Sequence, residues 1–487
     1  MVNRRQVLLA GGVGLGVLAA PKLLSPAAGA ATQPGGHTHP AATAPAGPPP
    51  AFVPFSARMP LPQQQRPFDS TGGVDRYRVD ITPATAELIP GVGTPVLTYG
   101  GQFTGPLIRA TTGRPVEIRF TNRLTGETNV HLHGGHTPAA SDGHPSELIR
   151  PGGSRTYRYP NKQQGATLWF HDHSHHNEAE YIYRGLHALY VIDDPAEQRL
   201  GLPGGDYDVP IMVRDGHFDE QGGLFFDYEN PANRSTILVN GKAQPYFPVV
   251  ARKYRFRLLN AANDRIFTLR VGDGTPVQQI ASDGGLLPAP VTRTEFAFGS
   301  AERVEIVVDF SAFPVGSQVY LSDATMGNIL RFDVVGPAID HSRVPPRLRA
   351  LPMRPAAGVT RDVRFSFDFS VNPPVGLMNG KTYDENRVDF VVERGATEVW
   401  TIYNDDAAVG LNHSFHMHLV QFQVLDRDGG APPTPDDAGL KDTIFVGPGK
   451  SVRVLATFTD YVGRYLYHCH YNEHSTLGMM AQMDVVA

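Results

Sequence analysis

The chain has 487 residues, with 43 Lys and Arg against 48 Asp and Glu and a formal net charge of -5. This length suggests two to four domains with sizeable cores, and so small a charge argues against a nucleic-acid partner or a polybasic membrane surface. The 51 Gly and 42 Pro residues favour turns over long helices. The single cysteine, Cys469, excludes an intramolecular disulfide and leaves the redox compartment open.

The N-terminus has the features of an export signal. Residues 1–30 contain the pair Arg4 and Arg5, a Gly-containing apolar run and a small-residue site ending at Ala30. The run is shorter than the roughly 20 residues of a membrane-spanning helix. We expect a twin-arginine signal peptide at 1–30 and a disordered Pro/Ala-rich tail at 31–54. This predicts a periplasmic or extracellular protein without stable membrane association; an uncleaved N-terminal anchor is the alternative.

The rest of the chain repeats one pattern three times. Each copy has an alternating strand that ends at an asparagine, a short polar turn and a second strand; the copies are at 114–134, 252–271 and 395–419. A second motif follows each copy in the same order, at 151–160, 298–310 and 446–458. A third motif follows that one, at 165–176, 316–324 and 463–474. Short alternating strands separated by Gly/Pro turns predict β-sandwiches or barrels. We expect an all-β protein of three homologous domains at 55–200, 205–345 and 360–487.

Histidines occur in the first and third copies and are missing from the matching strands of the second, which read DRIFTLRV and YLSDA. Four clusters hold ten of the 19 histidines: His131 and His133; His171 and His173; His413, His416 and His418; His468, His470 and His474. Residues i and i+2 of a strand project from the same face, about 6–7 Å apart. Four HxH pairs would therefore present eight imidazoles to one centre. One zinc ion takes about four ligands, so this number predicts a cluster of about three metal ions.

The stretch HCHYNEHSTLGMM contains the only cysteine. Cys469 points to the opposite face from His468 and His470, so it would bind a different metal ion. Imidazoles from His413 and His474 and a weak thioether, from Met479 or its neighbour Met480, would complete a blue-copper electron-transfer site. The peptide bonds on either side of Cys469 would then give electrons a covalent route into the histidine cluster.

These signatures, HxHG, HxH, HxxHxH and HCHxxxHxxxxM, occur in this order, and the sequence resembles the multicopper oxidases. YPNKQQGATLWFHDHSHH and HMHLVQFQVLDRDG are most similar to the bacterial three-domain branch with spore-coat laccase and phenoxazinone synthase. The resemblance implies three consecutive cupredoxin-like Greek-key β-barrel domains and four copper ions. It assigns the type 1 copper to His413, Cys469, His474 and Met479, the type 2 copper to His131 and His416, and the two type 3 coppers to His133, His171 and His470 and to His173, His418 and His468.

The resemblance also implies a reaction, in which four one-electron oxidations of a reductant are coupled to the reduction of O2 to two waters. Four electrons need four protons, and a buried carboxyl group near the cluster could deliver them. Asp142 lies where the family has such an acid; a turn-forming Asp-Gly is the alternative. Many bacterial members have Glu directly after the last type 1 histidine; here Ser475 occupies that position, while Glu473 precedes the histidine.

The reductant is predicted to be a phenol or an aromatic amine. Thioethers select Cu(I), and the 10 methionines form no cluster before the last signature, which argues against a dedicated metal oxidase. A metal-ion oxidase acting on Cu(I), Mn(II) or Fe(II) is the first alternative. A non-catalytic copper-binding protein is the second, and a copper nitrite reductase, which lacks the HCH arrangement, is a remote third.

Overall fold

The computed structural model describes residues 45, 47–227 and 230–487. The signal peptide expected at 1–30, and the part of the tail up to residue 44, lie outside the described residues. Within the described residues the protein is built almost entirely of β-strands, arranged as three successive pairs of sheets. None of the helices in this part of the chain has the length and apolar character needed to cross a membrane.

The first sheet pair comprises β1 (Asp75–Glu87), β2 (Gly93–Tyr99), β3 (Ile108–Thr111), β4 (Val116–Asn122), β5 (His131–His133), β6 (Ser154–Tyr159), β7 (Ala166–His171) and β8 (His187–Asp193). The strands form two sheets in the orders β2-β1-β4-β6 and β3-β8-β7-β5. A short helix, α1 (Glu178–Arg184), connects β7 to β8.

The second sheet pair comprises β9 (Asp208–Gly216), β10 (Thr236–Val239), β11 (Lys242–Ala243), β12 (Tyr246–Ala251), β13 (Lys253–Asn260), β14 (Phe267–Val271), β15 (Val277–Ser282), β16 (Gly285–Arg293), β17 (Phe296–Phe298), β18 (Arg303–Asp309), β19 (Gln318–Asp323) and β20 (Gly327–Pro337). Their orders are β11-β10-β9-β13-β18-β15-β16 and β12-β20-β19-β14-β17.

The third sheet pair comprises β21 (Val359–Asp368), β22 (Val375–Met378), β23 (Phe390–Glu393), β24 (Thr397–Asn404), β25 (His413–Met417), β26 (Phe422–Arg427), β27 (Leu440–Lys441), β28 (Thr443–Val446), β29 (Ser451–Thr457), β30 (Gly463–Cys469) and β31 (Met480–Val486). The orders are β22-β21-β24-β29-β26-β27 and β23-β31-β30-β25-β28. A second short helix, α2 (Asn472–Thr476), follows β30 and packs against α1.

Short 3-10 helices lie in the connections between strands, at Thr71–Gly73, Ala139–Ser141, Pro195–Leu200, Gly205–Tyr207, Pro231–Asn233, Phe310–Ala312 and Pro435–Ala438.

The three sheet pairs share one topology. In one sheet of each pair, the first strand runs parallel to a later one, as β1 with β4, β9 with β13 and β21 with β24. In the other sheet, β3 with β8, β12 with β20 and β23 with β31 are parallel in the same way. A hydrophobic core fills the space within each sheet pair. The repeat seen in the sequence is therefore a repeat of structure, while the exact domain boundaries stay a prediction.

The repeated asparagines explain part of that sequence pattern. Each side-chain amide of Asn122, Asn260 and Asn404 donates to two backbone carbonyls across the following loop. Each side-chain oxygen accepts the N–H two residues ahead. The asparagine thus closes the loop that leads to the next strand, which in the first and third sheet pairs is the histidine strand.

Candidate metal centre

Two strand pairings bring the predicted histidines together. In the first sheet pair, β5 runs antiparallel to β7 with His131 opposite His171. In the third, β25 runs antiparallel to β30 with His416 opposite His468. Alternation along each strand places the two histidines of an HxH motif on one face, and all of these side chains are buried. The first and third sheet pairs thus contribute to one shared centre.

Eight imidazoles form three groups in which the candidate ligand atoms lie within 4.8 Å of one another. The groups are His131, His133 and His416; His133, His171 and His470; and His173, His418 and His468. These combinations contain the pair that the resemblance assigns to the type 2 copper and both type 3 triplets. Among the described residues, the only other histidines in such a group are His413 and His474.

The chemistry of these imidazoles fits bound metal ions. Burial lowers the pKa of all eight, to about 3 for His171 and about 4 for His468, so the rings are neutral and keep a free lone pair. The Nε2 atoms of His131, His171 and His416 and the Nδ1 atom of His133 are buried without a hydrogen-bond partner among the described residues. Buried polar atoms are rarely left unpaired, and metal coordination would satisfy these converging nitrogens.

Hydrogen bonds on the far side of the rings fix their orientation. His131 Nδ1 donates to the Asp142 carbonyl oxygen over 2.6 Å, and His416 Nδ1 donates to the Asp442 carbonyl oxygen over 2.8 Å. His171 Nδ1 donates to the carbonyl of the next residue over 2.8 Å. Such contacts set the tautomer, so that Nε2 of each ring is the atom free to bind metal.

A separate group surrounds Cys469. Its Sγ lies 3.6 Å from the Nδ1 atoms of both His413 and His474, and these two nitrogens are 3.2 Å apart. His413 Nε2 donates to Asp406 Oδ2 over 2.9 Å, which directs Nδ1 towards the sulfur. Burial raises the pKa of the thiol to about 12, so a bound metal ion must displace its proton.

Met479 is fully buried in the same core cluster as Cys469. Its backbone carbonyl accepts the N–H of Cys469 over 3.1 Å, which holds the two residues side by side. Its thioether as an axial ligand stays a prediction.

The two acids singled out in the sequence lie in different surroundings. Asp142 is at the cluster: Oδ2 accepts from His418 Nδ1 over 2.7 Å, and Oδ1 is buried without a hydrogen-bond partner among the described residues. Burial raises the pKa of this carboxyl group well above its ordinary value. Glu473 instead accepts from Arg234 Nη2 over 2.5 Å and from Asn263 over 2.9 Å. These bonds anchor α2 to the second sheet pair, and a catalytic role for Glu473 stays a prediction.

Glu178 is a candidate that the sequence reasoning missed. This buried residue of α1 accepts a hydrogen bond from the Ser475 hydroxyl, and its Oε2 lies 3.7 Å from His173 Nδ1. Burial raises its pKa to about 8. The carboxyl group that is absent at position 475 is thus supplied by a neighbouring helix. An acidic residue soon after the HDH signature was the available signal.

The Cys469 site reaches the surface through His474, which is only half-buried. The ring of Phe367 meets that of His474 edge-on, with centroids 4.8 Å apart, and Phe369 lies 5.5 Å beyond Phe367. Phe369 is 43% exposed and Val371 45% exposed. An apolar, aromatic rim therefore adjoins the most accessible ligand of this site.

Comparison with known proteins agrees with the fold. Two sequence profiles of the multicopper oxidase family match residues 80–197 and 352–487. The chain is 34% identical to a laccase from Bacillus subtilis, over 88% of this chain and 98% of that protein. It is 33% identical to a bilirubin oxidase from Albifimbria verrucaria, over 89% of this chain and 82% of that protein. The crystal structure of a laccase from Pediococcus acidilactici superposes with a TM-score of 0.83 at 30% identity, covering 90% of this chain and 96% of that one.

The fold and the paired histidine sites define a copper-binding protein of three cupredoxin-like sheet pairs. The chain belongs to the multicopper oxidase family. It is therefore a copper-dependent oxidoreductase with O2 as electron acceptor, as the signatures in its sequence predicted.

Proposed function

We propose that this protein is a laccase-like oxidase that holds four copper ions and oxidises phenols or aromatic amines. The type 1 copper is bound by His413, Cys469, His474 and, axially, Met479. The three remaining coppers are bound by the eight imidazoles of the cluster, in the type 2 and type 3 sets given above. When bound, copper supplies the one-electron redox chemistry that links the reductant to O2.

One observation carries this proposal. Cys469 belongs to one metal-binding group, and its two chain neighbours, His468 and His470, belong to the other. With copper held between His474 and Cys469, the side chain of Cys469 and one stretch of backbone would supply a covalent path for an electron to the cluster. A protein that merely stored copper would have no need to join the two sites covalently.

The reaction also needs protons at the buried cluster. Asp142 contacts His418 through Oδ2, while Oδ1 lies 3.7 Å from His131 Nδ1 and has no hydrogen-bond partner among the described residues. Glu178 Oε2 lies 3.7 Å from His173 Nδ1. In this proposal Asp142 and Glu178 hold the protons that the reduction of O2 consumes.

The substrate preference follows from the rim at His474. Phe367 and Phe369 offer ring edges and faces against which an aromatic reductant can stack. The rim residues named above include no methionine, whose thioether would favour Cu(I). A small aromatic donor therefore fits this entry point better than a metal ion does.

The test is copper content and visible absorption of the purified protein, followed by O2 uptake with a substituted phenol and with Cu(I). We expect about four coppers per chain, an intense blue band, and faster uptake with the phenol. Uptake with Cu(I) alone would favour the metal-ion oxidase. A blue band without any O2 uptake would favour a non-catalytic copper-binding protein.

We also propose export by the twin-arginine route to the periplasm or the cell exterior. The support is the arrangement of Arg4, Arg5 and the small-residue site ending at Ala30. Replacing both arginines by lysine should retain the protein in the cytoplasm, as cell fractionation would show. Unchanged export of this variant would contradict the proposal.

A further inference from the structure

One imidazole of the cluster is held through its Nε2 atom, whereas the cluster rings described above are held through Nδ1. His133 Nε2 donates to Asp442 Oδ1 over 3.0 Å and lies 2.9 Å from the Thr443 hydroxyl, while Nδ1 faces the neighbouring imidazoles. The carbonyl of the same Asp442 accepts from His416 Nδ1. A single residue between β27 and β28 thus orients two imidazoles, one from the first sheet pair and one from the third.

Asp442 is in turn held by a residue of the second sheet pair. Arg303, the first residue of β18, makes a two-pronged pair with it, Nη1 to Oδ1 at 2.8 Å and Nη2 to Oδ2 at 2.5 Å. The remaining N–H groups of Arg303 donate to the carbonyls of Thr167, Ala301 and Asp283. Arg303 and Asp442 are both 0% exposed, so the guanidinium is fixed from every side.

The glycine of the HxHG signature makes room for this pair. Gly134 has φ +80°, and a Cβ built on it would lie 2.6 Å from Asp442 Oδ2 and 2.7 Å from Arg303 Nη2. A side chain at this position would therefore collide with the ion pair directly after His133. The signature thus reflects the close approach of the pair to the histidine strand.

We propose that Arg303 is a positioning residue for the cluster: through Asp442 it fixes the ring orientation of His133 and His416. The second sheet pair contributes no residue to the metal-binding groups found among the described residues, yet it sets the geometry of two imidazoles. This inference rests on the proposed copper function, because it concerns how the cluster holds its metal ions.

A purely structural ion pair at an interface is the competing explanation. Buried ion pairs add little net stability, but removing one partner is costly whatever the pair does. The chain offers a matched control in Arg257 of β13, which is 3% exposed and also donates two hydrogen bonds to one carboxylate, from Nε and Nη2 to Asp208. Arg257 also donates to Glu305 and to the Thr167 hydroxyl. Unlike Asp442, the carboxylates of Asp208 and Glu305 accept from arginines and Thr167 and not from a histidine of the described chain.

The experiment compares the wild-type protein with Arg303→Lys and Arg257→Lys, all loaded with copper in parallel. Lysine keeps the charge but cannot form the fork. Copper per chain, the electron paramagnetic resonance signal of the type 2 copper, the blue band and O2 uptake are measured on each. The blue band of the Cys469 site is an internal control for folding.

For Arg303→Lys we expect copper lost from the cluster, a weakened type 2 signal and an O2 uptake lower by about 10–100-fold, with the blue band retained. For Arg257→Lys we expect a lower melting temperature and an unchanged copper content. If Arg303→Lys does not fold, Asp442→Asn, which keeps the shape of the side chain, carries the same expectation.

Full copper loading of the Arg303 variant, or equal copper loss in both variants, would overturn this inference alone. A wild-type protein with a blue band but no cluster copper would overturn the proposed function as well.

Discussion

The two metal sites of this protein differ in depth. The eight imidazoles of the cluster are fully buried, whereas the Cys469 site includes the half-buried His474 beside an exposed aromatic rim. Electron transfer from a reductant requires close approach, while the reduction of O2 benefits from a site that excludes bulk water. In the proposed function this contrast separates substrate oxidation from O2 reduction in space, with Cys469 as the junction between the two sites.

The most damaging change should be to that junction. Cys469→Ser replaces the thiolate by a poor copper ligand, so the blue band should disappear. Oxidation of a phenol should fall by more than the about 100-fold typical of residues that only support a metal ligand. Copper content, the visible spectrum and O2 uptake measure this. Retention of the type 2 signal would show that the cluster survives, whereas phenol oxidation at the wild-type rate would refute the division of roles.

The second-largest loss of turnover is expected from a change at the buried histidine cluster, with the Cys469 site intact. Glu178→Gln keeps the size of the side chain but cannot release a proton, so turnover with O2 should fall by about 100-fold. The copper content and blue band should stay unchanged. The exchange variant Glu178→Ser with Ser475→Glu returns a carboxyl group to the same place and should recover part of the activity. Ser475→Ala is the control for the hydrogen bond itself. Full activity of Glu178→Gln would remove this residue from the proton supply.

Asp142→Asn tests the other carboxyl group beside the buried histidine cluster. Asparagine can still accept the hydrogen bond from His418, so copper should remain bound while turnover falls by about tenfold or more. Single-turnover reduction of the blue site by a phenol should keep its rate, because that step does not involve the cluster. Loss of cluster copper in this variant would instead indicate that Asp142 mainly orients the imidazole.

The smallest effect is expected at the rim. Phe369→Ala removes an exposed ring that can stack with an aromatic donor, a contact of about 0.5–1.5 kcal/mol, so KM for a phenol should rise by up to about tenfold with kcat unchanged. Phe68, which is 55% exposed on the first sheet pair, provides a matched control as Phe68→Ala. Equal kinetics for both variants would mean that the rim does not contact the substrate.

Local sequence patterns predicted most of the fold and the histidine groups. The HxH spacing places imidazoles such as His131 and His133 on one face because strand side chains alternate. Asn122 and its two counterparts mark the repeat because each closes the same loop. Arg303 could not be found this way, and for Glu178 the local pattern offers only an acidic residue soon after the HDH signature, because both act through contacts between elements far apart in the chain. No local pattern tells which loop will face which helix after the sheet pairs assemble.

The meeting of His133 with Asp442 has a consequence for biosynthesis, since the two residues lie 309 positions apart in the chain. At about 5–20 residues per second, a ribosome needs roughly 15–60 s to make the intervening chain. During that time the first histidine strand exists without the residue that orients it and without its partners from the third sheet pair. Assembly of the complete cluster is therefore a late event that waits for synthesis of the third sheet pair.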